Sequence, residues 1–275
     1  MAERPAIPSP VKRLLRQEAA FGCCLCGHPL MQYHHIVPYS VEPHFRPEDM
    51  MALCPNHHEL ANDGALPIDQ QRAAKATPYN RQHGHVKGQL YVNQLGTKLC
   101  LGGQIFDSAA GDLLRIDDEM LIRTAISEDG ALLLSVRLFD EGGTLLAEID
   151  ENEWISHEPL PWDIEHAPQR LSVKSAERKV ALDVNCKVEP VLIRGELWYG
   201  GQNLKARKNA LICGGATIQG GGTFVNGAIQ LSSDEGGVSI LPMQTRPPTK
   251  LEQVMAQARE RQARSASKSK RRKKR

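Results

Sequence analysis

Long apolar runs, aromatic residues and cysteines are all scarce in this sequence, and each shortage removes a class of protein. No run approaches the 18 or so apolar residues that a membrane-spanning helix needs. The opening MAERPAIPSPVKRLL has no apolar stretch of the secretory kind. The chain is therefore expected to be soluble and cytoplasmic, with no membrane partner. Aromatics make up 5% of it, too sparse for a base-stacking platform to be read from Trp154 or Trp198, which fit a core better. Seven cysteines are too few and too uneven for a disulfide framework. Cys23, Cys24, Cys26 and Cys54 crowd one end, while Cys100, Cys186 and Cys213 are scattered. That clustering fits metal ligation in a reducing compartment. Histidine is skewed the same way: only His157 and His166 lie beyond His85, and isolated histidines in a β region are usually structural.

Charge is also unevenly placed. The formal net charge is +2, but residues 264–275 carry eight basic side chains and no acidic one, which leaves the remainder at −6. An acidic body thus carries a basic tail, and Lys268, Lys270, Arg271 and Arg272 read as contacts to a phosphate backbone. Such contacts carry no sequence information.

At 275 residues the chain can hold two cores. Ser9-Pro10 reads as a helix start, followed by Val11, Leu14, Leu15 and Ala19 at helical spacing. The other face of that helix offers Lys12, Arg13 and Arg16, and Arg13 and Arg16 become candidate phosphate contacts, although a solvated polar face fits equally well. Gly22 to Tyr33 reads as a turn and a short strand, and Val37-Pro38 ends the next element. A loop runs to Asp49, and a helix extends from Cys54-Pro55 to Asp63-Gly64. Pro67 to Ala76 reads as another helix. Beyond it the texture turns to β: Gln89–Val92, Leu132–Phe139, Leu145–Ile149, Val180–Val184, Val191–Trp198 and Leu211–Ile218, with turns at Asp129-Gly130 and Glu141-Gly142-Gly143. Gly214–Gly222 lacks the Lys-Ser/Thr ending of a phosphate loop and reads as turns between strands.

The chemistry is concentrated in residues 21–62. Cys23 and Cys26 have the spacing of a zinc knuckle, and Cys54 and His57 supply a second pair, making a Cys3His set for a structural zinc. Cys24, between the ligands, is assigned to packing. His57 and His58 are adjacent on a helix and project about 100° apart, so they cannot easily serve one metal. If His57 turns to the zinc, His58 turns elsewhere and Asn62, four residues on, shares its face. On a strand, His34 and His35 point to opposite sides, so that one can ligate a metal while the other addresses substrate.

The string CCLCG…YHHIVP…EDMMALCPNHHELAN resembles the HNH (ββα-metal) endonucleases over about fifty residues. The resemblance implies that His34, His58 and Asn62 hold a catalytic divalent metal and that His35 is the general base. It places Asp49 where the family usually has an asparagine that helps hold the loop and the base histidine; aspartate there could accept a hydrogen bond from the His35 ring and raise its basicity, or could shift its pKa unhelpfully. The implied activity is hydrolysis of a nucleic acid, with DNA the substrate expected of the family, leaving a 5′-phosphate and a 3′-hydroxyl. Two imidazoles and an amide suit Mn2+, Ni2+ or Zn2+ as well as Mg2+. A zinc-stabilised module that binds nucleic acid without cutting it is the main alternative, and a scaffold is a third.

The expected architecture is α+β. A small zinc-stabilised ββα-metal nuclease domain with its leading helix occupies residues 1–76, and a linker 77–90. A mostly β domain, sandwich or solenoid-like, spans 91–245, and a helix and disordered basic tail 246–275. The β domain carries no chemical motif; recognition, assembly or control through a protein partner or ligand is its expected role, as in a phage-defence or mobile-element nuclease.

Overall fold

In the computed structural model, residues 5–107, 110–213, 215–232 and 237–242 are described. The tail residues Lys268, Lys270, Arg271 and Arg272, and the helix expected after residue 246, lie outside them.

Helix α1 (Ser9–Glu18) begins with Pro10 in its first turn, where a missing backbone N–H leaves nothing unpaired. Strands β1 (Gln32–His35) and β2 (Met50–Leu53) pair antiparallel, with Gln32 opposite Leu53 and His35 opposite Met50. The same use of proline starts α2 (Pro55–Asn62), and α3 (Ile68–Ala76) and α4 (Tyr79–His83) follow. The apolar cluster holding β1, β2 and α2 together is small, built mainly from Ala19, Ile36, Met51, Leu53, Ala61 and Leu66 besides the cysteines.

The rest is strand. The first group is β3 (His85–Gln89), β4 (Leu99–Leu101), β5 (Gln104–Asp107), β6 (Gly111–Ile116), β7 (Glu119–Ile126), β8 (Leu132–Phe139), β9 (Leu145–Asp150) and β10 (Glu153–His157). The second is β11 (Asp163–Ala167), β12 (Arg170–Ala176), β13 (Lys179–Asn185), β14 (Val191–Tyr199), β15 (Gln202–Ala206), β16 (Ala210–Cys213) and β17 (Ala216–Gln219). Last come β18 (Thr223–Val225), β19 (Gly227–Ser232) and β20 (Gly237–Pro242). Consecutive strands β6 to β10 form one antiparallel meander and β11 to β17 a second.

Three parallel pairings, β14 with β4, β18 with β5 and β19 with β6, add further strands to these meanders, and the whole is a closed barrel rather than the expected sandwich or solenoid. Strand β14 is the reason. Val191, Ile193, Gly195 and Leu197 alternate inward, and the strand bonds to β13, β15, β4 and, at Trp198, to Phe139 of β8, so the sheet closes through it. Gly195 has φ +147°, and a Cβ there would lie 2.2 Å from the Ala181 carbonyl oxygen, so only glycine permits the approach of β13.

The stretch 77–90 is not a linker. Tyr79 N–H donates to the Cys24 carbonyl, and the buried Asn80 amide donates to the carbonyls of Ala20 and Gly27, clamping the cysteine turn. β3 pairs along its length with β10 of the barrel. Phe21 belongs to the barrel's apolar core, and all described residues fall in one compact unit, Met1–Met243. Composition marks a boundary that packing does not respect, because the strand edge of β10 needs a partner and β3 supplies it.

Candidate active site

Two side-chain constellations sit on different faces of α2. Cys54 caps the helix, and His57, one turn in, faces back toward the cysteine turn. His57 Nδ1 lies 3.4 Å from Cys23 Sγ and 3.3 Å from Cys54 Sγ, and Cys26 Sγ lies 3.8 Å from Cys54 Sγ. A tetrahedral zinc with ordinary bond lengths requires about 3.8 Å between sulfurs and about 3.6 Å from sulfur to nitrogen, so the group has the spacing a metal ion such as zinc demands. All four ligand atoms lie within 4.8 Å of one another. Burial and the neighbouring thiols push Cys26 up to about 12, and Cys23 is raised too, so thiolates share this space only with a cation between them. Cys24 is excluded from the group; burial alone accounts for most of the rise of its thiol to about 12, as suits a packing residue.

On the other face, His58 meets β1. Its ring packs edge-on against that of His34, with centroids 5.3 Å apart, and Asn62 Nδ2 lies 3.1 Å from His58 Nδ1. His34, His35, His58 and Asn62 all line one cleft of about 670 Å³, together with Tyr39, Pro67, Ile68 and Gln71. Burial, and then the neighbouring His58, hold the His34 imidazole down at about 4, and burial also lowers His58. Both rings are therefore neutral at neutral pH, with lone pairs to offer a cation. The donor set of two imidazoles and an amide oxygen fits a divalent ion of borderline softness.

The strand alternation places His35 away from His34, against the loop that follows β1, where Tyr39, His44 and Phe45 surround its ring at centroid distances of 5.5, 5.0 and 6.1 Å. His35 Nε2 lies 3.0 Å from the His44 carbonyl oxygen. A carbonyl only accepts, so His35 Nε2 carries a proton. His44 in turn accepts the Arg46 backbone N–H at Nδ1 and donates from Nε2 to the Val37 carbonyl, pinning the loop whose carbonyl orients His35.

Nothing matches this chain: no family model, no curated protein, no solved structure.

Three expected sites are placed differently. The Asp49 carboxylate does not serve the His35 ring: one oxygen accepts from Arg46 at 2.9 Å and the other from Arg72 at 2.7 Å, while the Asp49 carbonyl accepts Ile36 N–H. Both guanidiniums hold the carboxyl below the usual carboxylate range. Asp49 is a loop anchor tying the turn before β2 to α3, a role the asparagine-like position also permits. Arg16 is buried against the barrel, bidentate to Asp163 at 2.9 and 2.7 Å. Arg13 lies over the Trp162 ring at 4.6 Å. Arg16, buried in its ion pair, docks α1 on the barrel, while Arg13 is half-buried over the indole.

Spacing assigns no role to Gln71 or His44. Gln71 leaves one trace: it is the buried position of α3, where an amphipathic helix would put an apolar side chain. His44 leaves none, because its function depends on loop geometry. Among the described residues, the cleft is lined only by positions 33–71, so no barrel strand plugs it.

Proposed function

We propose that this chain is an HNH-type metal-dependent endonuclease that hydrolyses phosphodiester bonds of DNA, with the Cys3His group holding a structural zinc. The observation that carries it is the convergence of His34, His58 and Asn62 on one cleft, with His35 also lining it, while the neighbouring His57 turns to the Cys3His group. Packing does not explain the second constellation: a small apolar core has no use for two buried imidazoles, His34 and His35, beside a half-buried third, His58, on one groove.

In this reading His34, His58 and Asn62 hold a divalent ion, with Mn2+, Ni2+, Zn2+ and Mg2+ as candidates. Bound there, the ion supplies positive charge for the phosphate oxygens and for the leaving 3′ oxygen. His35 Nδ1 accepts the proton of the attacking water while Nε2–H stays on the His44 carbonyl, which fixes the ring's direction. The water oxygen attacks phosphorus, the P–O3′ bond breaks, and the leaving 3′ oxygen takes a proton from solvent, so the products are a 5′-phosphate and a 3′-hydroxyl. Gln71 and the Asp49 ion pairs hold the walls of the groove.

Within the module Arg46 pairs with Glu42 and Asp49, Arg72 with Asp49, Lys75 with Glu18 and Arg16 with Asp163. In this reading the basic tail, Lys268, Lys270, Arg271 and Arg272 included, adds sequence-independent attraction to phosphate. The test is nicking of supercoiled plasmid across Mg2+, Mn2+, Ni2+ and Zn2+. His35→Ala is expected to abolish nicking while zinc content and fold persist, and undiminished cleavage by that variant sinks the assignment.

A further inference from the structure

Gln71 belongs to α3, outside the fifty-residue stretch that resembles a known family, and it is only 3% exposed. Its amide Nε2 donates to the Leu66 carbonyl at 2.8 Å. A carbonyl cannot donate, so that bond settles which way the amide faces: the NH2 points to Leu66 and Oε1 points into the cleft. Oε1 lies 3.1 Å from His34 Nε2. An amide oxygen only accepts, and therefore His34 must carry its proton on Nε2. The neutral ring that results has one lone pair, at Nδ1. A buried glutamine with both ends of its amide committed to single partners is a rigid positioning device, because rotating it would leave a buried carbonyl opposite a carbonyl and an N–H opposite an N–H.

We propose that Gln71 is the positioning residue that holds His34 in its Nε2–H tautomer and so presents Nδ1 to a divalent cation shared with His58 and Asn62. This inference rests on the metal-dependent reading of the cleft, but its first readout does not require the protein to cut anything. An outer partner of this kind makes its ligand directional: the ring can no longer swing or exchange tautomers, so the cation meets a prearranged donor. It also brings α3 into the site, and through Arg72, the next residue in α3, the same helix holds the Asp49 anchor of the loop. One helix thus fixes both the ligand His34 and the turn that precedes β2.

The experiment uses the full zinc-loaded chain labelled with 15N. Long-range proton–nitrogen correlation spectra report the tautomer of each histidine ring, and His34→Ala identifies the His34 signals by their disappearance. The wild-type protein without a second metal is expected to show His34 as Nε2–H. Gln71→Leu, which keeps the volume and removes the acceptor, is expected to give a mixed His34 tautomer and to weaken Mn2+ binding about 10- to 100-fold, followed through the spin-resonance signal of the free ion. Zinc content should not change. Gln71→Glu, which keeps an acceptor facing His34, should restore the Nε2–H signature. An Nδ1–H ring in the wild-type chain overturns the proposal without any variant. So does a Gln71→Leu protein with unaltered tautomer and Mn2+ affinity, or a wild-type chain that binds no Mn2+ beyond its zinc. If the tautomer and Mn2+ results hold and plasmid is not cut, the nuclease reading fails while the role of Gln71 stands; cleavage with the wrong tautomer gives the reverse.

Discussion

Replacing Arg16 by methionine separates two accounts of the leading helix. The guanidinium meets Asp163 through two bonds of 2.9 and 2.7 Å, with side-chain exposures of 9% and 1%, and its third nitrogen donates to the Tyr33 hydroxyl at 2.8 Å. Removing it leaves a buried carboxylate whose remaining cation, Lys174, stands 3.7 Å away. Loss of one partner of a buried pair costs about 3–5 kcal/mol, and Lys174 places the expected cost of Arg16→Met near the lower end. Asp163→Asn strands the arginine instead, with Glu165 at 3.4 Å as partial compensation, and should cost a similar amount. The double variant Arg16→Met/Asp163→Leu leaves no orphaned charge, so its cost should fall well short of the sum of the single costs. Urea unfolding at pH 7 measures all three. A loss below about 1 kcal/mol for Arg16→Met is what an exposed pair gives, and it would refute the buried-dock account. DNA binding supplies the opposite control. If Arg16 touched phosphate, the variant would lose affinity and salt dependence with its stability intact; the structure predicts lost stability with the salt slope unchanged.

Chelation of the Cys3His metal is expected to expose residues 21–62 to protease while the barrel's β circular dichroism persists, because the module's own apolar cluster is small and the barrel's is not; loss of both signals together would contradict this. Burial holds His34 and His166 down at about 4 in the folded chain, against about 6.5 when unfolded, so the unfolded chain binds more protons between those values. Stability is therefore complete above about pH 6.5 and falls as pH drops toward 4, and the double variant His34→Asn/His166→Asn should flatten urea midpoints between pH 6.5 and 5. Deleting residues 264–275 should weaken binding to every DNA sequence alike and lower the slope of log affinity against log salt by about 0.9 for each phosphate the tail neutralises; an unchanged slope shows the tail idle.

The parts legible in the sequence are those governed by local periodicity. Adjacent histidines on a helix diverge by about 100° and adjacent histidines on a strand by a half-turn, so the separation of His57 from His58, and of His34 from His35, follows from the chain's own geometry once strand and helix are recognised. The Cys-x-x-Cys spacing works the same way, since a single turn fixes both sulfurs. What could not be read depends on partners distant in sequence. Arg16 finds Asp163 across 147 positions, and nothing in the helix it sits on distinguishes a docked arginine from a solvated one. Position alone matches Asp49 to an asparagine, yet its partners are set by Arg46 three residues earlier and Arg72 on another helix. The barrel includes parallel pairings between β4, β5 or β6 and strands nearly a hundred residues or more away, and those leave no mark on alternation within any one strand. Residues 77–90 show the consequence most directly: polar and glycine-bearing, they look like a spacer, whereas Asn80 carries the bonds that hold the cysteine turn and β3 carries the register that joins turn to barrel. A metal-binding turn this poor in apolar neighbours is held in place from outside, so the barrel strand beside it is part of the site's support.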